Sequence, residues 1–235
     1  MKKIILALTL LFSTTVATYA QTTDEIVDKH TIAMGGKEKL LQLNSVVLEG
    51  NLTVQGMEIP VKMYQSHNVG MRMDITVMGM TGYVISTMTE GWMYMPFQGQ
   101  ASAEAMPAES VKESADGLDL QGSLVNYKEK GHQVDFIGKE DFEGTECLKL
   151  KVVTKNGVES TAFLDPVSFY VLKGVTKSKA SGQEMDAVQT FSNYKKLDNG
   201  YVFAFSMSGL GGGEITFTKI EVNVPVDPAL FKPTK

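Results

Sequence analysis

Few residues in this chain have the type and spacing for chemistry. There are three histidines, His30, His67 and His132, far apart in the sequence. None stands in a metal-binding spacing such as H-x-x-x-H, and no cysteine cluster accompanies them. His30 falls on an apolar helical stripe, His132 at the start of a strand, and His67 in the polar turn Gln65-Ser66-His67-Asn68. Structural or surface roles fit all three. The run Lys139-Glu140-Asp141-Phe142-Glu143-Gly144 clusters carboxylates, but between strands, where a solvated turn is the default. Paired carboxylates for acid–base work stay open on sequence grounds. Gly209-Leu210-Gly211-Gly212-Gly213 lacks the Lys-Ser/Thr that would make it a phosphate loop, and no Gly-x-Ser-x-Gly elbow occurs. The one cysteine, Cys147, lies in the strand-like Glu146-Cys147-Leu148-Lys149-Leu150 and reads as a small core residue. The expectation is therefore binding rather than catalysis, with no metal and no cofactor.

The methionines suggest what is bound. Fourteen occur in 235 residues, many of them between Met57 and Met106. Methionine is flexible and polarizable and suits surfaces that accept variable apolar shapes. A core that merely contains many methionines is the other reading. If the apolar side chains form a cavity, the inward candidates are Leu48, Leu52, Met63, Met71, Met73, Ile75, Trp92, Tyr94, Phe136, Leu150 and Phe163.

The elements that would hold them follow from periodicity. Thr22-Thr23-Asp24-Glu25 fits a capping box, and Ile26, Val27, His30, Ala33 and Met34 recur at helical spacing. Gly35-Gly36 stops that helix, and a short second helix covers Lys37 to Leu43. From Val46 the period changes to two. Val46, Leu48, Leu52 and Val54 alternate with Val47, Glu49, Asn51 and Thr53; Met57, Ile59, Val61 and Met63 with Glu58, Pro60, Lys62 and Tyr64; and Met71, Met73, Ile75 and Val77 with Arg72, Asp74 and Thr76. Gln55-Gly56 and Asn156-Gly157 are hairpin signals. Ala101 to Asp119, with a second apolar stripe of Leu118, Leu120, Leu124, Val125 and Tyr127 ending at Gly131, predicts two helices or one broken helix inserted between strands. Strands resume at Val134 and continue to Val224, with an apolar phase slip between Phe217 and Ile220 that predicts a bulge. This is an α+β chain: a large, curved antiparallel sheet of about ten strands, a half-barrel wrapped on helices. A closed barrel fits the same periodicity.

The N-terminus reads as a targeting segment. Lys2 and Lys3 precede the apolar run Ile4 to Val16, and Thr18-Tyr19-Ala20 is a small-x-small site before Gln21. The run is far shorter than the ~20 residues a membrane span needs. Residues 1–20 are expected to leave as a signal peptide, so that residues 21–235 form a single periplasmic domain, soluble after cleavage. Losing Lys2 and Lys3 takes the net charge from −5 to −7. That balance, with one arginine (Arg72) among the cations, argues against nucleic acid as a partner.

Two segments resemble a known family. Gly91-Trp92-Met93-Tyr94-Met95-Pro96-Phe97 resembles the strand leading into the lid region of LolA, the periplasmic carrier of outer-membrane lipoproteins. Val226-Asp227-Pro228-Ala229-Leu230-Phe231-Lys232-Pro233 resembles the V-D-x-x-x-F-x-P ending of that superfamily. The His30…Gly35-Gly36…Leu40 opening and Tyr127-Lys128-Glu129-Lys130-Gly131 resemble the outer membrane lipoprotein-sorting proteins of Bacteroidetes-type lineages. The resemblance implies a half-barrel whose cavity, between sheet and helices, takes lipid or lipoprotein acyl chains. It departs at one place: LolA carries a lid-tethering Arg in a turn that here reads Gln65-Ser66-His67-Asn68. The alternative expectation is an envelope sensing or scaffold domain that binds a protein partner. An enzyme acting on a lipid or glycan would need a carboxylate pair in a cleft.

Overall fold

A computed structural model describes residues 21–180, 183–209 and 212–234. The expected signal peptide lies outside the described residues, as does part of the run 209–213. Helix α1, Thr23–Ala33, opens with the expected capping box. Thr22 Oγ1 accepts from the Glu25 amide at 3.2 Å, and the Glu25 carboxylate accepts from the Thr22 amide at 3.0 Å. Gly35 and Gly36, at φ 121° and 94°, turn the chain into the single-turn helix α2, Lys37–Leu40.

Five strands follow: β1 Ser45–Val54, β2 Met57–Ser66, β3 Gly70–Val77, β4 Met80–Thr87 and β5 Gly91–Tyr94, with β6 reduced to Glu104–Ala105. After the crossover, 106–132, come β7 Gln133–Phe142, β8 Thr145–Val153, β9 Glu159–Leu164, β10 Val171–Ala180, β11 Gln183–Lys196, β12 Val202–Ser208 and β13 Glu214–Val222. The thirteen strands form one open antiparallel sheet in the order β6-β5-β4-β3-β2-β1-β13-β12-β11-β10-β9-β8-β7. Each half is a meander of adjacent hairpins, and the halves join where β1 pairs with β13. The predicted bulge is present: Glu49 opposes Lys219 and Gly50 opposes Phe217, so Thr218 is the extra residue.

The crossover is less helical than its composition predicts. Only α3, Ala108–Ala115, is an α-helix; residues 119–132 are successive turns after a 3-10 turn at Asp116–Leu118. The stripe Leu118, Leu124 and Val125 is buried nonetheless. With Gly117, Gly122 and Asn126 (φ 53°) in the segment, burial of these side chains, rather than helix propensity, sets the backbone path.

The position of α3 establishes the curvature. It touches β4 and β5 on one side and β10 on the other. In sheet order β4 and β10 stand seven positions apart, about 34 Å in a flat sheet at ~4.8 Å per strand. An eight-residue helix is only ~12 Å long. The sheet must therefore curl until both arms reach the helix, with Ser178 Oγ donating to Glu113 at 2.8 Å on one side and Val111 lying over Gly91 on the other. The result is a half-barrel with an open seam, closed over by the crossover.

Candidate functional site

Strand pairing assigns every side chain to one of two faces. The face under the helices carries a row in direct register across six strands: Ile220, Leu48, Met63, Met73, Val84 and Met93. Exposure rises along it. Ile220 is buried, Leu48, Met63, Met73 and Val84 are half-buried, and Met93 is 39% exposed. A second row, Ile215, Leu52 and Ile59, runs parallel to it toward the Gln55-Gly56 hairpin. Between them lies Gly50, Val61, Ile75 and Gly82. A Cβ at Gly82 would meet the Tyr94 carbonyl oxygen at 2.6 Å and the Phe97 ring at 2.9 Å, so the close packing there excludes a side chain.

Six expected site residues lie on this surface: Leu48, Leu52, Met63, Met71, Met73 and Ile75. Phe136 and Leu150 share the face but belong to the other arm, where Leu150 is fully buried beneath α1 in a cluster with Ile26, Val27, Leu148 and Leu164. The remaining three point the other way. Trp92 opposes Ile85 and Tyr94 opposes Tyr83 on the outer face, and Phe163 opposes Lys149 on the outer face of the opposite arm. The physical reason is the period of two: in a strand reading Trp-Met-Tyr, an inward Met93 forces both aromatics outward. Sequence reasoning passed over Ile59, Val84 and Met93; their signal was register with Met63 and Met73.

The outward aromatics are covered by the C-terminal segment. Phe231, Tyr83 and Ile85 form a buried cluster with Tyr64, Trp92, Tyr94 and Val226 packed against it. Arg72 Nη1 donates to the Leu230 carbonyl at 3.3 Å, its Nε to Asp74 at 2.6 Å, and Tyr83 Oη bridges both the amide and the carbonyl of Thr234. The two segments that carry the family resemblance are thus packed against each other.

The histidines are dispersed. His30 is buried, and its Nδ1 donates to the Phe169 carbonyl at 2.8 Å; desolvation lowers its pKa. His67 and His132 border the crossover. His67 Nδ1 lies 3.5 Å from Asp119, which Lys130 binds at 2.5 Å, and His132 Nδ1 accepts from the Lys155 amide at 3.1 Å. The turn at 65–68 is itself fastened to the crossover: the Asn68 amide donates to the Leu118 carbonyl and Gln65 Nε2 to the Gly117 carbonyl, both at 2.9 Å. Backbone acceptors of the crossover thus anchor the turn. Among the described residues no group of His, Cys, Asp and Glu is placed to hold a metal. Of the carboxylates in Lys139–Gly144, Glu140 accepts from Lys149 on the neighbouring strand at 2.6 Å and Asp141 Oδ1 accepts from the Gly144 amide at 3.3 Å. Cys147 is fully buried, and burial pushes its thiol up. No helix among the described residues is long and apolar enough to cross a membrane.

Surface hollows of about 440 and 390 Å3 lie away from the methionine row, one between α1 and residues 124–129, the other beside α3 and the Asn156-Gly157 hairpin.

Solved structures share this architecture. A LolA superfamily protein from Nitrosomonas europaea superposes with a TM-score of 0.54 over 91% of this chain and 99% of that one, at 10% identity. The fold is LolA-like. A DUF1329 family protein from Desulfovibrio piger gives the same score over 91% and 98% of the two chains, at 15% identity. No family model matches the sequence, and no curated protein does. At 10–15% identity the likeness is one of overall fold.

Proposed function

We propose that this chain is a periplasmic carrier or binding protein for lipid or lipoprotein acyl chains, held against the helix-side face of β1–β5. The observation that carries the reading is the row of half-buried Leu48, Met63, Met73 and Val84 that ends on the exposed Met93. A contiguous apolar surface left short of cover favours an apolar ligand. Burying one methylene is worth about 0.8 kcal/mol, so a chain of a dozen could supply roughly 10 kcal/mol before the costs of association. No charged contact is required. The reading includes removal of residues 1–20 and a soluble periplasmic product.

The first experiment is to purify the protein from a Gram-negative periplasm and compare native with denaturing mass spectrometry. A mature mass beginning at Gln21, with a bound species that releases as a lipid or acylated peptide, supports the carrier. Met73→Asp combined with Leu52→Asp should abolish uptake of a fluorescent fatty acid while the far-UV circular dichroism stays that of the wild type. Undiminished uptake would remove the site.

A second reading, an envelope domain that binds a protein partner, is favoured by the crossover. Leu118, Leu124 and Val125 are buried, and Val125 belongs to the cluster that the methionine row borders. A protein that is empty on purification and takes up no fatty acid would select it.

A further inference from the structure

Thioethers are the groups on the candidate face that a mild oxidant can convert from apolar to polar. Sulfoxide formation replaces a flexible apolar side chain by a polar one and disrupts methionine-rich surfaces. Four methionines on the helix side are open to solvent: Met57 (60% exposed), Met80 (44%), Met93 (39%) and Met185 (58%). Register fixes their side. Met57 pairs with Val54, Met80 with Val77 and Met93 with Val84, all on the methionine-row face. Met185 pairs with Ser178, which meets α3 on the opposite arm. Met57 and Met80 begin their strands, Met93 lies one residue from the end of β5, and Met185 two residues into β11, so they fringe the half-barrel, whereas Met63 and Met73 are half-buried.

We propose that these four residues are an oxidation-sensitive rim: peroxide converts them to sulfoxides, and the polar rim then closes the face to acyl chains. In each step the thioether sulfur attacks one peroxide oxygen and the O–O bond breaks. The sulfur, oxidised by two electrons, keeps that oxygen, and the other leaves as water with both hydrogens. A thiol-dependent sulfoxide reductase reverses it, with two thiols becoming a disulfide and the oxygen leaving as water. The inference rests on the carrier reading.

The molecule contains its own controls. Met78 is 94% exposed and Met88 45%, but both sit in turns, Met78 with φ 50° in the Met78-Gly79 hairpin. Their oxidation should not affect the face. Met95 is buried, and Met63 and Met73 are half-buried, so they should react last.

The test treats the mature protein with hydrogen peroxide for increasing times. Each methionine is mapped by peptide mass spectrometry, and affinity for a fluorescent long-chain fatty acid is measured at each point. Affinity should hold while Met78 alone is oxidised, fall about tenfold or more as Met57, Met80, Met93 and Met185 are converted, and return after reductase treatment. The variant M57L/M80L/M185L, which leaves Met93 of the binding row in place, should lose less affinity after peroxide than the wild type does. Unchanged affinity with the rim fully oxidised would overturn the proposal. So would a loss that follows Met63 and Met73 together with a drop in thermal midpoint, or an equal loss in the leucine variant. An untreated protein that takes up no fatty acid defeats the carrier reading and the rim with it, whereas uptake that survives rim oxidation defeats the rim alone.

Discussion

One face of one sheet is finished in two different ways. Over β7–β9 it is sealed: Leu148, Leu150, Val152 and Leu164 are at most 1% exposed beneath Ile26 and Val27 of α1. Over β1–β5 the same face keeps Leu48, Leu52, Met63, Met73 and Ile75 half-buried, and Met93 open. The residue types differ in step. The sealed arm uses leucine and valine, whose rotamers are few and pack to one arrangement; the open arm uses methionine, which adapts. The difference teaches that the helix layer covers the two arms unequally. Over β1–β5 it buries Val46 and Val61 against Leu40 and Leu43 but leaves the remaining apolar surface, which costs stability unless something else covers it.

The largest expected effect tests the sealed arm. Leu150→Ala should lower unfolding free energy by about 4 kcal/mol, since a full cavity opens where neighbours cannot collapse. Met73→Ala on the open arm should cost about 1 kcal/mol, because water or a ligand already reaches the site. Urea denaturation of both variants checks this. Equal losses would erase the distinction between the arms.

Next comes the outer face behind the open arm. Phe231→Ala removes the ring that sits on Gly70, where a Cβ would meet it at 2.8 Å, and that joins Tyr83 and Ile85. About 3 kcal/mol should be lost. Fatty-acid uptake should remain, because the C-terminal segment lies on the side of the sheet away from the methionine row. Loss of uptake in a still-folded Phe231→Ala protein would mean that the aromatic face supports the site directly.

A smaller effect probes how the sealed arm is closed. Thr22→Ala deletes the capping acceptor of α1 and should cost about 1 kcal/mol, read as a shift of the urea midpoint. The cost should fall on the sealed arm alone. Hydrogen exchange should quicken in β7–β8, beneath α1, and stay unchanged in β2–β3.

How much of this was legible before the structure follows from the range of the forces involved. Alternation along β1–β3 is a local signal, and it located Leu48, Leu52, Met63, Met73 and Ile75 correctly on one face. The slip at Phe217–Ile220 is local too and gave the bulge at Thr218. Trp92 and Tyr94 were misplaced because ring size suggests burial but not which side is buried. The cover for those rings, Phe231, comes from more than a hundred residues away and leaves no trace in the strand's own pattern. The crossover was over-read as helix because its apolar spacing fits period 3.6, while glycines and a left-handed Asn126 let tertiary burial choose turns instead. The unequal sealing of the two arms could not be read at all, since it depends on where α1 lands.

The smallest effect separates the arms by pH. His30, His67 and His132 all have pKa values pushed below the ordinary 6.5, and in each the chief cause is burial, which penalises the imidazolium. Lys130 adds to the shift at His67, and Lys130 and Lys155 at His132; Asp119, and for His132 also Asp116, oppose it. The folded state thus binds these protons less readily than the unfolded chain does. Stability is full above pH 6.5 and is lost as pH falls below it through the folded pKa values. Carboxylates held low by lysines, such as Glu49, Glu140 and Glu159, act in a separate window, below their ordinary 4.5. Between pH 7 and 5 the thermal midpoint should therefore drop, and His30→Gln should flatten most of that drop, because His30 is locked under the sealed arm by the Phe169 carbonyl. His67→Gln and His132→Gln should change the midpoint little but slow the acid-induced rise in hydrogen exchange across residues 116–132. If His67→Gln flattens the midpoint as strongly as His30→Gln, the crossover belongs to the same cooperative unit as the sealed arm, and the open arm is then the only part of the face free to adapt.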